Sequence, residues 1–246
     1  MNPTTRIAAS TAPAELLERI TREHFPQHPI SAQPRGGVAA SYLHARLTSA
    51  FEPVGRAAGG IIGHRGLLRL TDSRSAGAAA SASALDHAGA GGAGNDAIVQ
   101  LDRLYRTLHA LNYFFGEARD DLLFLDVDRR LLTAVRADHG AYFESILSAI
   151  GVEPSRVAIV LPPQAPDDPV TFVRAAISYR IRGYRVLARL RNDAETDLAH
   201  VFLADPHYVA FEPTITAPTR GGLRAVEALT RRGIERLTFA SSGAGP

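Results

Sequence analysis

The sequence predicts an α/β fold, a barrel of parallel β/α units, and three observations predict it. From Asp96 onward, apolar strands of four to seven residues alternate with helical segments of about ten. Such alternation implies a parallel sheet covered by helices. The chain has 246 residues, the length of one (β/α)8 barrel. It is 46% apolar, enough to fill a sizeable core without staples.

Ala14 to His24 reads as a short amphipathic helix with Leu16, Leu17 and Ile20 on its apolar face. Pro26, Pro29, Pro34, Gly36 and Gly37 break that pattern, and a second short helix is expected from Val38 to about Thr48. Phe51–Val54, a turn over Arg56–Gly60 and Ile61–Leu70 form a hairpin. Ser73 to Asn95 is almost wholly Ala, Gly and Ser, with too little apolar bulk to offset its ordering entropy, and is expected to be a mobile loop. A helix follows through Ile98, Leu101, Leu104, Tyr105, Leu108 and Leu111. Strands are then expected at Leu122–Val127, Val157–Leu161, Tyr184–Leu190, Tyr208–Phe211 and Leu237–Ala240. Between them lie helices at Tyr142–Ile150, Val170–Arg182, Glu195–Leu203 and Gly221–Arg232. The expected organisation is an N-terminal helical extension over residues 1–48 and a barrel domain over residues 49–246.

Composition removes several classes of function. With no cysteine, disulfides, thiolate metal sites and a cysteine nucleophile are excluded. The formal net charge is +2 and comes from interspersed signs rather than a basic stripe, so no nucleic acid polymer is expected as a partner. No apolar run reaches the ~18 residues of a membrane span, and Met1–Pro13 lacks the apolar stretch of a signal peptide. A cytoplasmic protein without membrane contact is expected. Gly89–Gly94 lacks the Lys and Ser/Thr of a phosphate-binding loop, and Ser241-Ser242-Gly243 is a tail rather than a nucleophile elbow. The nine histidines form no tight ligand cluster. Asp126 and Asp128, two apart on a strand, suggest an acid pair or a shared partner in Arg129 or Arg130.

Phe51-Glu52-Pro53-Val54, followed by Gly63-His64-Arg65-Gly66-Leu67-Leu68-Arg69, resembles the opening of EAL domains, which read Phe-Gln-Pro-Ile and then Gly-Tyr-Glu-Ala-Leu-x-Arg. The resemblance continues in order through Leu123–Val127, Pro154–Val160, Arg182–Val186 and His207–Glu212, and covers roughly Ser49 to Ala240. Its specificity lies in the order and spacing of six weak motifs. It implies a TIM-like barrel whose first strand runs antiparallel to the others. It also implies that cyclic di-GMP lies across the C-terminal strand ends, with Mg²⁺ or Mn²⁺ held by carboxylates and an Asn.

This chain departs from that pattern at nearly every metal position. The motif Glu is Arg65, and the strand-end Asn is Asp126. The next two acids fall on Val160 and Pro163, and the paired Asp residues on Arg189 and Leu190. The Lys is Ala210 and the Asp after it is Glu212. Arg65 and Arg189 would oppose a divalent ion, so neither metal nor other cofactor is expected, and Asp126 and Glu212 are expected to pair with these arginines. Only six residues follow Ala240, so the eighth strand is absent and the ring is either open or covered by the N-terminal helices.

The resemblance therefore implies a degenerate, non-catalytic regulatory domain working through an unknown protein partner. The alternative is a receptor that binds cyclic di-GMP without hydrolysis, and an active phosphodiesterase is the least favoured. For the receptor, Arg69 matches the family's phosphate-contacting Arg, with Arg65, Pro53, Leu67 and Glu52 as further candidates. Glu52 replaces a ligand-contacting Gln and should repel a dianion.

Overall fold

A computed structural model describes residues 12–42, 45–72, 80–81, 95–116, 120–134, 138, 140–163, 168–191, 198–211 and 219–239. Helix α1 (Ala14–His24) leads into strands β1 (Ile30–Ala32) and β2 (Val38–Tyr42), then into the long hairpin β3 (Ala45–Arg56) and β4 (Ile61–Asp72). A two-residue strand β5 (Ala80–Ser81) precedes helix α2 (Asn95–Gly116). The repeating part follows: β6 (Leu122–Asp126), α3 (Arg129–Ala134), α4 (Ala141–Ala149), β7 (Val157–Leu161), α5 (Pro169–Ile181) and β8 (Arg185–Leu190). It ends with α6 (Leu198–Ala204), β9 (Tyr208–Phe211), α7 (Arg220–Thr230) and β10 (Glu235–Phe239).

Local chemistry sets the helix limits. Asp168 accepts a hydrogen bond from the Thr171 amide at 3.2 Å and Pro169 occupies the first turn of α5. Thr219 caps α7 through the Gly222 amide at 3.1 Å. At the other ends, Gly183 and Gly233 adopt φ of 83°. That left-handed turn lets the next amides, Tyr184 and Ile234, reach back to the carbonyls of Tyr179 and Leu229, both at 3.2 Å. Each helix is thereby turned directly into the following strand.

Seven strands close into a barrel in the order β3-β4-β6-β7-β8-β9-β10, with β10 returning to β3. The pairings from β4 through β10 are parallel, whereas β3 is antiparallel to both its neighbours. Side chains alternate across each strand. Val54, Phe124, Ala158, Val160, Leu187, Ala210 and Leu237 face inward and form a small buried core in the lumen. The outward set, including Leu123, Leu125, Ile159, Val186 and Val209, packs beneath the helices in the main core.

The β3–β4 hairpin is longer than the barrel wall. The ring uses Val54–Arg56 of β3 and Gly63–Arg65 of β4. The rest projects as a ribbon, flanked by β2 against Ala45–Leu47 and by β5 against Arg69–Leu70.

Three expectations need correction. The helix expected over Val38–Thr48 is instead β2 and the start of β3. The Asn112 side chain, arriving from α2, accepts from the Val38 amide at 2.7 Å and donates to its carbonyl at 3.0 Å. That clamp fixes an extended backbone which local propensity does not specify. The ring is neither open nor helix-covered, because β10 pairs with β3 at Leu237↔Arg56 and Phe239↔Val54. The first helix after β6, α3, has no counterpart in the sequence reading. Of the loop expected at Ser73–Asn95, only 80–81 and 95 lie within the described residues. β3 itself runs unbroken through Thr48 and Ser49.

Candidate functional site

At the C-terminal ends of the parallel strands, three charged side chains meet. Asp126 ends β6, Arg65 lies on β4 and Arg189 on β8, all with side chains on the lumen face. Arg65 Nε donates to Asp126 Oδ2 at 2.6 Å, and Arg189 Nη2 donates to Asp126 Oδ1. Both carboxylate oxygens are thus engaged by guanidinium groups. The side chains are only 16%, 15% and 28% exposed for Arg65, Arg189 and Asp126, so solvent weakens these pairs little. Phe239 from β10 provides a floor, with the Arg65 and Arg189 guanidinium carbons 5.1 and 5.6 Å from its ring centre.

The other described positions at which the EAL resemblance places metal chemistry are apolar. Val160 and Ala210 are each 1% exposed and fill the lumen, and Leu190, also 1% exposed, faces the outer core. A hard divalent cation needs several oxygen ligands. Among the described residues no group of three or more His, Cys, Asp or Glu could hold one. The described donor set does not fit the ion. Glu212 lies outside the described residues.

The five candidate ligand contacts separate by strand face. Glu52 is opposite Arg65 in the β3–β4 register, so both share the lumen face. Leu67 and Arg69 continue that face along the ribbon, opposite Ala50 and Thr48. Arg69 is exposed and stands roughly 13 Å beyond Arg65 along the strand. Pro53 pairs with His64 on the other face and is exposed, so the structure does not bring it together with the rest.

Asp126 and Asp128 do not form an acid pair. Asp128 takes the Arg130 amide at 2.7 Å and the Arg130 guanidinium at 2.9 Å. Burial opposes its ionisation, but these bonds and the Arg130 charge outweigh it and hold the carboxyl below its usual value.

A second polar group sits behind the site, on α2. Asp102 and Arg106 form a buried ion pair, and Arg106 Nη1 donates to Tyr179 at 3.4 Å. Tyr105 donates to Asp102 at 2.6 Å, and its hydroxyl also lies 3.2 Å from the Asp126 carbonyl. Desolvation raises the Asp102 pKa against the opposing pull of Arg106. Sequence reasoning passed over this group. The available signal was an i, i+4 Asp–Arg pair interleaved with the apolar period of Leu101, Leu104, Tyr105 and Leu108.

No protein-family model matches the chain, and no curated protein sequence matches it. Solved structures do. Bacillus subtilis YkuI, with an EAL domain in complex with substrate cyclic di-GMP and calcium, is 18% identical, with a TM-score of 0.59 over 77% of this chain and 48% of that one. Vibrio cholerae LapD, S helix-GGDEF-EAL bound to cyclic di-GMP, is 12% identical, with a TM-score of 0.56 over 77% and 46%. The PaMucR phosphodiesterase, in a cyclic di-GMP complex, is 17% identical, with a TM-score of 0.51 over 76% and 80%. The chain spans about half the length of the first two proteins. At these identities the likeness is one of fold: this is an EAL-type, TIM-like barrel.

Proposed function

We propose that this chain is a non-catalytic EAL-like regulatory domain that acts through protein contacts in cyclic di-GMP-related signalling. The observation that carries this reading is the Arg65–Asp126–Arg189 cluster, which stands where the fold's relatives would place metal chemistry. At an effective dielectric of about 20, a unit charge 4 Å from another contributes about 4 kcal/mol. Two guanidinium groups therefore oppose a divalent ion strongly, and the one carboxylate between them is already paired.

The chain should not hydrolyse cyclic di-GMP in Mg²⁺ or Mn²⁺. Chromatography of the incubated nucleotide tests this. Linear dinucleotide appearing above the buffer rate, and vanishing with chelator, would sink the reading.

One observation favours a receptor as the second reading. Arg69 is exposed on the same face as Arg65, and no described residue pairs with it. Calorimetry with cyclic di-GMP separates the two. A receptor predicts binding that Arg69→Ala weakens by about one to two decades, the loss of a charge-assisted phosphate contact. It also predicts that Glu52→Gln, by removing a negative charge, strengthens binding. No binding by either wild type or Glu52→Gln at high micromolar nucleotide leaves the protein-contact reading alone.

A further inference from the structure

On the outer side of the barrel, α2, α4 and α5 meet around a cavity of about 50 Å³. On this measure a water needs about 10–15 Å³, so the space holds a handful of non-hydrogen atoms. Arg106 lines it, with a side chain only 4% exposed. Asp102 takes Nη2 of that guanidinium, and the Tyr179 hydroxyl lies 3.4 Å from Nη1. The buried Nε–H has no acceptor among the described residues. A buried donor in that state costs free energy, and an acceptor oxygen in the cavity would remove the cost. Two further positive features border the same space. The Arg103 guanidinium stacks 3.9 Å from the centre of the Tyr142 ring and, among the described residues, forms no ion pair. Gly140, Tyr142 and Phe143, also in the wall, belong to the start of α4. The first amides of a helix lack acceptors within it and carry its positive dipole end. Gly140 caps that end with φ of 98° and has no side chain to engage those amides. A Cβ there would lie 2.9 Å from the Tyr179 ring, so the glycine lets α4 begin this close to the partner of Arg106.

We infer that this cavity is a binding site for a small monocarboxylate, whose carboxylate group accepts from Arg106 Nε and faces Arg103 and the start of α4. The site stands apart from the function proposed above and does not depend on it. Two acids in the wall set the charge of the ligand. Asp102 has both oxygens engaged, by Tyr105 and Arg106, and Asp138 pairs with Arg182. These carboxylates are balanced by their partners, yet they lie close enough to disfavour a doubly charged anion. A cation would meet Arg103, Arg106 and a helix N-terminus, with both acids already held by guanidinium groups. The rest of the wall suits a short alkyl group, since Leu131 and Phe143 are buried there beside the rings of Tyr142 and Tyr179. Asp138, 58% exposed, leaves a way in from solvent.

The test titrates the isotope-labelled full chain with sodium acetate, at an ionic strength held constant with chloride. Heteronuclear NMR follows the amides of Gly140, Tyr142 and Phe143. Acetate should shift them saturably, with a midpoint of about millimolar, the range open to so small an ion. Acetamide has the same shape without the charge, and phosphate carries more charge. Each should bind at least about tenfold more weakly than acetate. Arg103→Gln removes a positive charge without touching the buried ion pair and should weaken acetate binding about fivefold or more. Arg106→Lys keeps a cation for Asp102 but loses the Nε donor, and should weaken binding about tenfold or more. Thermal melts check that both variants fold. If Arg106→Lys does not, the wild-type and Arg103→Gln titrations decide alone. The inference is overturned if acetate moves these amides no more than chloride does, or if acetamide or phosphate binds as tightly. It is also overturned if methylammonium binds in place of acetate, or if Arg103→Gln leaves acetate binding unchanged.

Discussion

Asp126 is the residue on which the site turns. Its carboxylate accepts from guanidinium groups on two different strands, while Phe239 closes the space beneath them. Asp126→Asn keeps the shape but removes the charge that holds two cations together in a mostly buried space. The variant should lose about 1–3 kcal/mol of stability, because both guanidinium groups lose the negative charge that lies between them. Urea denaturation measures the loss, and an unchanged midpoint would show that the arginines are satisfied elsewhere. The three charged positions were legible in the sequence, since each falls at a fixed place in an ordered series of strand motifs. Phe239 was not. It comes from the last strand, and only ring closure brings it under residues of β4 and β8.

Among the elements, α2 organises the ribbon. It sends Asn112 to the Val38 backbone and Ser49, and His109 to Ser49 at 2.8 Å, while the His109 ring packs directly against Gly66. A Cβ on Gly66 would lie 2.7 Å from that ring, so the glycine is required by close approach. The helix was legible from its apolar period, but its polar contacts were not, because they depend on which strands the helix crosses. Burial lowers the His109 pKa from 6.5 to about 3, with the Asp126 charge acting weakly in the other direction. The folded state therefore holds this imidazole neutral while the unfolded chain protonates it. Below pH 6.5 the unfolded state binds the extra proton, so stability should fall as pH falls from 6.5 toward 3, by about 1.4 kcal/mol per unit from this group. His109→Asn retains a donor and acceptor for Ser49 but does not titrate there. Its stability should decline less steeply than that of the wild type across the same range, as followed by denaturant melts at several pH values. Parallel curves for the two proteins would mean that His109 is not held neutral by the fold.

For the molecule as a whole, closure of seven strands is the feature the sequence conveyed least. The strands and their order were readable because β-branched and apolar runs alternate with helical periods. Which strand pairs with which depends on register and on the accumulated twist of the sheet, and no short segment records those. The last strand meets β9 on one side at Glu235↔Tyr208 and β3 on the other at Leu237↔Arg56. It also inserts Leu237, 1% exposed, into the lumen. Ending the chain after Gly233 would remove both pairings together with Phe239. Two edges, Val54–Arg56 of β3 and β9, would lose their partner strand, and the lumen would open to water along one side. Unprotected edges of this kind template association between chains, so the shortened protein should be insoluble or should lose its cooperative unfolding transition. A milder probe is Leu237→Ala, expected to cost about 2–5 kcal/mol as a large-to-small change in a closed core. Sedimentation and urea denaturation of the two variants test closure at two strengths. A soluble shortened chain that unfolds at the wild-type midpoint would show that β10 does not close the barrel in solution.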